Sequence, residues 1–293
     1  MSQSVATTVY AADNSGFSSN PIALGVRDLD LLGDRAFGVV TGKRGTREQW
    51  ACRARVLTDN VQGGFNIYPT DAELDWLIER AIGDNISGYP AGAAVPGETI
   101  PAWYLWADKG GIQTFLYDEL RINRLTISGA ETQMLNARVD LVGATETEVS
   151  DLSAGGTVVD CDTVFHFSDI VLTLDSTAFS IKSFELTFDN AIADQYENSV
   201  TRSRFEAQSF GVSLRVSAAY RADTKALYRK AIAGDNLATL VIDDGVNTYT
   251  FTFGNLKIPG RGPTIGEIGE VLMPLDMMAY RTPTARSVSI AKS

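Results

Sequence analysis

Few residues of this 293-residue chain have the types and spacing that catalysis requires. The single histidine, His166, stands between Phe165 and Phe167 in a segment that predicts a strand, where it faces solvent or a neighbour more readily than it acts as a general base. The cysteines, Cys52 and Cys161, lie too far apart for a C-x-x-C site, and with one histidine they cannot form a zinc shell. The sequence therefore predicts no catalytic residue, no metal site, no cofactor and a reducing compartment.

The glycine-rich segments and the carboxylates give the same result. Residues 41–46 and 260–266 contain glycine beside cations, but neither has the G-x-x-x-x-G-K-[ST] order that cradles phosphate. Four carboxylates lie around one predicted helix, where solvation and the helix dipole explain them: Asp71, Glu73, Asp75 and Glu79. An enzyme is therefore the least favoured class, and we predict that the protein is not one.

Composition excludes further classes. Lys and Arg number 25 against 36 Asp and Glu, so the net charge is −11, and 44% of the residues are hydrophobic. The chain can bury a large core, and its acidity argues against a surface that grips nucleic acid or anionic lipid. The N-terminus lacks a basic segment followed by an apolar core, and no stretch approaches about 18 apolar residues. We expect a soluble chain, made in the cytoplasm, of about two domains.

The clearest periodicity is the two-residue alternation of half-buried antiparallel strands. It occurs in residues 170–174, 184–188, 212–216 and 248–253. Residues 240–242 followed by a polar turn at 243–247 predict a β-hairpin with the strand 248–253. The chain is therefore expected to be mainly β.

Two short helices interrupt the strands. Residues 70–82 begin with the capping box Thr70-Asp-Ala-Glu73, continue with an apolar stripe and end at Gly83. Residues 223–232 end in a similar way, because Ala81-Ile82 before Gly-Asp-Asn resembles Ala231-Ile232 before Ala-Gly-Asp-Asn. Each helix would flank a sheet.

The order of elements after each helix indicates an internal duplication. Six pairs share one offset: Asp108 with Asp244, Thr114 with Thr250, Phe115 with Phe251, Leu120 with Leu256, Ile122 with Ile258, and Asp140 with Asp276. A Gly- and Pro-rich insertion at 86–99 accounts for the larger offset between the helices. We predict an arm at 1–15, modules at 16–148 and 158–283, a linker at 149–157 and a tail at 284–293. The alternative is a chance likeness of hairpins and short helices.

The second half resembles the major tail tube proteins of long-tailed, siphovirus-type bacteriophages. The residues that carry the resemblance are Phe184 to Asn190, a long polar loop, Leu214 to Val216, the helix to Ile232, the hairpin around Asp243 to Gly245, and the closing run from Gly266 to Asp276. The first half resembles the family through the duplication. The resemblance implies two tandem β-sandwich or barrel-like modules, each with a short flanking helix, in a virion protein whose rings stack into a tube for genome delivery.

The resemblance also implies partners and a location. Six modules close the usual tube, so a duplicated chain would form a pseudo-sixfold ring of three copies. Tape measure, tail terminator and distal tail proteins would bind it, DNA would pass an acidic bore without specific binding, and no membrane would be involved. The tube would belong to the virion tail and assemble in the host cytoplasm. The alternative function is a β-sandwich binding module or another virion or adhesion protein, although Trp103-Tyr-Leu-Trp106 reads as a strand with one buried face rather than an exposed aromatic platform.

Two polar segments, 40–55 and 189–204, precede comparable strands and would reach the next ring as loops. For 189–204, a solvated extension is an equally open reading. The candidate inter-ring contact residues are Lys43, Arg44, Arg47, Tyr196, Glu197, Arg202 and Arg204.

Overall fold

The computed structural model describes residues 8–13, 21–39, 54–84, 94–150, 163–174, 177–221, 225, 236–257 and 271–293. The described residues are mainly β, as predicted. The predicted helix at 223–232 lies outside them except for Lys225, whose backbone is helical. Lys43, Arg44, Arg47 and most of the predicted linker also lie outside the described residues. No helix in the described ranges is long and apolar enough to cross a membrane.

The first half contains nine strands and one α-helix in its described part. They are β1 (Thr8–Ala12), β2 (Ile22–Leu24), β3 (Val26–Leu29), β4 (Leu32–Val39), β5 (Ala54–Ile67), α1 (Asp71–Ile82), β6 (Trp103–Lys109), β7 (Gln113–Ala130), β8 (Asn136–Gly143) and β9 (Thr145–Val149).

The second half contributes ten strands from its described residues. They are β10 (Ile170–Leu174), β11 (Thr177–Phe179), β12 (Ser183–Asp189), β13 (Ile192–Gln195), β14 (Arg204–Ala207), β15 (Gly211–Ala219), β16 (Asn236–Asp243), β17 (Thr248–Lys257), β18 (Leu272–Ala279) and β19 (Val288–Lys292). The strands predicted at 170–174, 184–188, 212–216 and 248–253 are confirmed, as is the hairpin of β16 and β17.

Strand pairing follows the same order in the two halves. In one layer, β1–β6–β7–β9 of the first half matches β10–β16–β17–β19 of the second. In the other layer, β4–β5–β8–β7 matches β12–β15–β18–β17. Both β7 and β17 therefore pass from one layer to the other. The division into two modules with the stated boundaries stays a prediction.

Strand β7 changes direction within its length. Gln113–Ala130 is one strand that bends at Glu119, where φ is 49°. Its first part pairs with β6 and β9, and its second part pairs with β8. The bend lets one strand serve both layers of the first half.

The halves are joined by a ladder between β7 and β12. Seven residue pairs connect them, from Arg124 opposite Asp189 to Ala130 opposite Ser183. One sheet thus runs through the chain in the order β4–β5–β8–β7–β12–β15–β18–β17. Its inward residues, such as Leu125 and Leu186, are fully buried, and its outward residues are mostly polar.

The core lies between the layers and under α1. Trp103 and Trp106 are 0% and 3% exposed, and the ring of Trp103 packs edge-to-face on Trp76 of α1 at 4.6 Å. The predicted buried face of this strand is confirmed. These two tryptophans are therefore core residues and do not form a binding platform.

Helix α1 begins and ends where the sequence predicts. The carboxylate of Glu73 accepts hydrogen bonds from the backbone N–H of Thr70 at 2.9 Å and from its hydroxyl at 3.0 Å. Gly83 is left-handed, with φ of 73°, and its N–H donates to the carbonyl of Glu79. The predicted stripe is fully buried: Leu74, Leu77, Ile78 and Ala81.

Two segments expected to be surface loops contain strand contacts. The loop at 189–204 holds β13, which pairs with β14 in a two-stranded antiparallel hairpin. In the insertion at 86–99, Ala94 is 1% exposed and forms a bridge with Ile290 of β19. Long-range contacts, rather than local alternation, place the described residues of both segments.

Candidate assembly interface

The β13–β14 hairpin folds back onto the first half of the chain. The N–H of Asp59 donates to the carbonyl of Val200 at 2.7 Å, and the side-chain amide of Asn60 donates to the hydroxyl of Tyr196 at 2.6 Å. Thr201 also forms a parallel bridge with Asp59. The hairpin leaves the end of β12, crosses over β7 and β8, and contacts β5.

Arg202 fastens this hairpin to the sheet. The residue is 2% exposed, and its Nη1 donates to the carbonyls of Gly143 at 3.2 Å and Val61 at 3.4 Å. Its guanidinium group also lies 5.5 Å from the ring centre of Phe205. A buried cation needs such partners, since an uncompensated one would be costly. Arg202 therefore serves a contact within the chain.

Glu197 and Arg204 lie on the outer side of the same hairpin. Arg204 Nη1 is 3.2 Å from Glu197 Oε1, and a second ion pair joins Arg204 to Glu206. The side chains of Arg204 and Glu197 are 55% and 60% exposed. The structure thus brings four candidate residues onto one hairpin, with Arg202 and Tyr196 facing the chain's own sheet. Contact with another ring stays a prediction.

A cluster that sequence reasoning missed joins α1 to the second half. The hydroxyl of Tyr249, a fully buried residue, lies 2.7 Å from Asp71 Oδ1 and 2.5 Å from Asp75 Oδ1. Lys292 Nζ donates to the other oxygens of these carboxylates, at 2.8 Å and 2.5 Å. Solvation had been expected to account for Asp71 and Asp75. Their spacing of four residues, which places both on one helix face, was the available signal.

The cluster perturbs two proton equilibria. Burial, and then hydrogen bonds to Asp75 and Asp71, raise the pKa of Tyr249 well above its ordinary value. Burial alone would lower the pKa of Lys292, but its hydrogen bonds to Asp71 and Asp75 outweigh burial and raise that pKa. Both groups keep their protons in the folded chain, so the cluster acts as a charged clamp.

Asn190 provides a second link between the halves. The residue is 1% exposed, and its side-chain amide donates to the carbonyls of Ala81 at 2.9 Å and Ile122 at 2.8 Å. Ala81 lies in the last turn of α1, where carbonyls have no partner within the helix. Asn190 thereby fixes the end of α1 against β7.

Cations on the polar face of the joined sheet are neutralised by carboxylates. Each of three arginines lies within 3.5 Å of one or two carboxylates: Arg124 contacts Asp189, Arg138 contacts Asp30 and Asp140, and Arg215 contacts Glu185 and Asp276. Three positive groups and five negative groups give this set a net charge of 3 − 5 = −2. The hydrogen bond with Asp189 raises the pKa of Arg124.

An open groove of about 760 Å³ lies at one end of this face. Its lining includes Phe210 and Val212 before and within β15, and Met278 and Tyr280 at the end of β18. Met278 and Tyr280 are 51% and 49% exposed, so the groove presents apolar surface to solvent. Such a surface is typical of a contact site.

His166 lies at the start of a short turn and bonds to it. His166 precedes the short 3₁₀ turn Phe167–Asp169, and its Nδ1 accepts from the N–H of Ser168 at 3.1 Å. The predicted strand at this position is limited to a single bridge with Met134. Within the described ranges, no group of three or more His, Cys, Asp and Glu side chains could hold a metal ion.

The described residues thus form paired sheets, two halves joined by a buried clamp, and a hairpin with an exposed outer side. Residues 53–279, which span both halves, match the model of the family of phage tail tube proteins. The chain therefore belongs to the phage tail tube protein family, as the resemblance predicted. Its members are structural proteins of the virion tail that assemble into a tube. No curated protein matches this chain.

Proposed function

We propose that three copies of this chain close one ring of the tail tube, and that stacked rings form the conduit for the genome in a siphovirus-type tail. The observation that carries the proposal is the β7–β12 ladder, which joins two halves of matching strand order into one sheet. If a ring repeats that joint between chains as well as within them, six similar units surround the axis. Three chains then supply the pseudo-sixfold symmetry.

The width of the sheet supports this number. Eight strands pair across the described part of the chain, four from each half. At about 4.8 Å per strand they span about 38 Å, so three chains give a circumference of about 115 Å and a diameter of about 37 Å before strand tilt widens it. A DNA duplex, about 20 Å across, passes with space for side chains. Two chains would leave about 24 Å between backbones, and six would leave about 73 Å.

The same sheet is our proposed wall of the bore. Packed layers lie about 10 Å apart, so an outer layer must cover a circumference about 60 Å longer than an inner layer. The layer whose strands join the two halves is the one suited to the smaller circumference. Its free face carries the paired set of charges with a net −2, which repels phosphate while leaving few cations to hold it.

The proposal assigns other roles to the ends and the outside of the tube. Glu197 and Arg204, being exposed on the hairpin, contact the next ring. Tape measure protein fills the bore during assembly in the host cytoplasm, and tail terminator and distal tail proteins close the two ends. The chain performs no catalytic step. Binding of a separate ligand, as in an adhesion module, is not favoured by the family to which the chain belongs.

Electron microscopy of the purified, assembled protein tests the proposal. We expect tubes whose rings contain three chains, with the polar face of the joined sheet turned toward the axis. Rings of six chains, or protein that remains monomeric at all concentrations, would refute the stoichiometry. A bore lined mainly by unneutralised Lys and Arg would refute the role of the sheet face.

A further inference from the structure

The turn between β16 and β17 forms an acidic tip with an apolar apex. Residues 243–247 contain two carboxylates, those of Asp243 and Asp244, and no cation, and Val246 is 83% exposed. Hydrogen bonds fix the shape of the tip, because Asp243 Oδ1 accepts from the N–H of Gly245 at 2.9 Å and Asp244 Oδ1 accepts from that of Val246 at 2.8 Å. A turn already held in one shape loses little conformational entropy when it binds a partner.

The groove at the end of the joined sheet carries cations that complement this tip. Its lining holds four arginines and three carboxylates, a net charge of 4 − 3 = +1. Arg124 and Arg215 form ion pairs with carboxylates of the sheet. Arg281 and Arg286 are exposed, and neither forms an ion pair within the described part of the chain. Two uncompensated cations therefore lie in a groove that also presents apolar surface.

The tip and the groove lie at opposite ends of strand β17. The strand begins at Thr248, next to the tip, and Leu256 near its other end lies opposite Ala279 in the groove lining. Eight residue steps of about 3.3 Å separate these ends by about 26 Å. A chain therefore cannot place its own tip in its own groove. A contact between opposite ends of two copies is head-to-tail, which is the kind that builds an open-ended stack.

Each described chain offers one such tip and one such groove. At the matching tip of the first half, between β6 and β7, the charges of Asp108 and Lys109 cancel. The matching end of the sheet, at Gly143, is covered by the β13–β14 hairpin through a hydrogen bond from Arg202. The duplicated strands thus repeat the framework, but only the second half pairs an acidic tip with an open groove.

We infer that the groove binds the β16–β17 tip of a copy in the next ring. Val246 packs against the exposed Met278 and Tyr280, and the two aspartates of the tip face Arg281 and Arg286. Charge complementarity of this kind fixes the register of the partners and speeds their encounter. The inference rests on the proposed stacking of rings, and it adds a second stacking contact to the one proposed for the outer side of the β13–β14 hairpin.

Cross-linking tests the contact. In a background of Cys52→Ser and Cys161→Ser, the substitutions Val246→Cys and Met278→Cys place one thiol on the tip and one in the groove. A short bismaleimide added to assembled tubes should link copies through successive rings, so the ladder of covalent products should continue beyond the three chains of one ring. Ile112→Cys with Met278→Cys is the matched control, because Ile112 is 86% exposed on the other tip, and it should yield at least tenfold less product.

Each other result has a defined meaning. Tubes visible by electron microscopy without the cross-link would overturn the groove contact and leave the proposed function intact. A ladder that stops at the number of chains in one ring would place the contact within the ring and overturn its role in stacking. Wild-type protein that forms no tubes would count against the proposed function itself, and against the groove contact with it.

A second pair of variants tests the charges. Asp244→Asn and Asp108→Asn each remove one carboxylate charge from a tip and keep the side-chain oxygen that accepts backbone hydrogen bonds. At low ionic strength Asp244→Asn should raise the protein concentration needed for tubes by about fivefold or more, because every ring repeats the contact. The effect should disappear at about 1 M salt, where the Debye length is about 3 Å. Asp108→Asn should leave the threshold unchanged, and equal thresholds in the two variants would refute the charge pairing.

Discussion

The cluster of Tyr249, Lys292, Asp71 and Asp75, which clamps α1 to the second half, predicts that removing the Tyr249 hydroxyl lowers the stability of the chain. Tyr249→Phe keeps the buried ring and removes the hydroxyl that bonds Asp71 and Asp75. Tyr280→Phe is the matched control, because Tyr280 is 49% exposed and its hydroxyl lies 3.7 Å from Met278 Sδ. Both substitutions remove one tyrosine hydroxyl, and they differ in burial and in partners.

The structure sets the size of the expected difference. A hydrogen bond to a charged group contributes about 1.5–3 kcal/mol, and the Tyr249 hydroxyl has two carboxylate partners. Lys292 keeps its ion pairs with both carboxylates in the variant, so neither carboxylate loses its cationic partner. We expect Tyr249→Phe to lower the free energy of unfolding by about 2 kcal/mol, and Tyr280→Phe to change it by less than about 0.5 kcal/mol.

Urea denaturation of the monomer, followed by circular dichroism, measures both values, and its pH dependence adds a second test. The pKa of Tyr249 is raised above the value of 10.0 for an unperturbed tyrosine, so the folded chain keeps a proton that the unfolded chain loses. The clamp's stabilisation is therefore complete below about pH 10 and is lost as the pH rises further. In Tyr249→Phe this decline should be shallower by up to about 1.4 kcal/mol per pH unit. Equal losses in the two variants, or equal slopes above pH 10, would refute the clamp.

Three further predictions use paired substitutions. Gly83→Ala should lower the free energy of unfolding more than Gly245→Ala, as measured by urea denaturation. Both glycines have a positive φ, but only at Gly83 would the new Cβ collide with a backbone carbonyl, that of Thr99. Equal losses of stability in the two variants would contradict this reasoning. In the same assay, Arg202→Met should lower the free energy of unfolding by about 2–3 kcal/mol, because Arg202 is buried and bonds two backbone carbonyls. Arg204→Met should lower it by less than about 1 kcal/mol, because Arg204 is exposed. A larger loss in Arg204→Met would refute the role of Arg202 in holding the hairpin on the sheet. Glu197→Lys should shorten the tubes seen by electron microscopy without changing the ring, and tubes of normal length would remove it from the stacking contact.

Local patterns in the sequence were sufficient for α1 and for five strands of the second half: β10, β12, β15, β16 and β17. Alternation in Phe184 to Phe188 predicts β12 because one face of the strand is buried and the other is polar. The helix was predictable because Thr70, Glu73 and Gly83 carry its start and end signals within the helix itself. Each of these signals involves residues within about one turn or one strand of one another.

The missed features depend on residues distant in the sequence. Tyr249 and Lys292 lie 174 to 221 residues from the carboxylates of α1 that they bind. The β13–β14 hairpin is ordered against Asp59 and Asn60, which lie more than 130 residues away. Contacts between residues so far apart in the sequence leave no short-range periodicity from which they could be predicted. The continuous course of β7 was also not predictable, because its bend uses a left-handed φ at Glu119, a residue type without a preference for it.

The contacts that hold the halves together are not repeated in the sequence, although the strand order is. At the offset that relates β7 to β17, the position matching Tyr249 is Gln113, which cannot make the same bond to a pair of carboxylates. In the proposed ring, joints within a chain therefore alternate with joints between chains, and the two kinds use different side chains on the same strand framework. The within-chain joint has the buried clamp and Asn190, whereas a between-chain joint can use only groups that the single chain leaves exposed. In such a ring the strand framework repeats six times around the axis, whereas the side chains at the joints repeat three times. Half of the joints form when each chain folds, before the ring assembles.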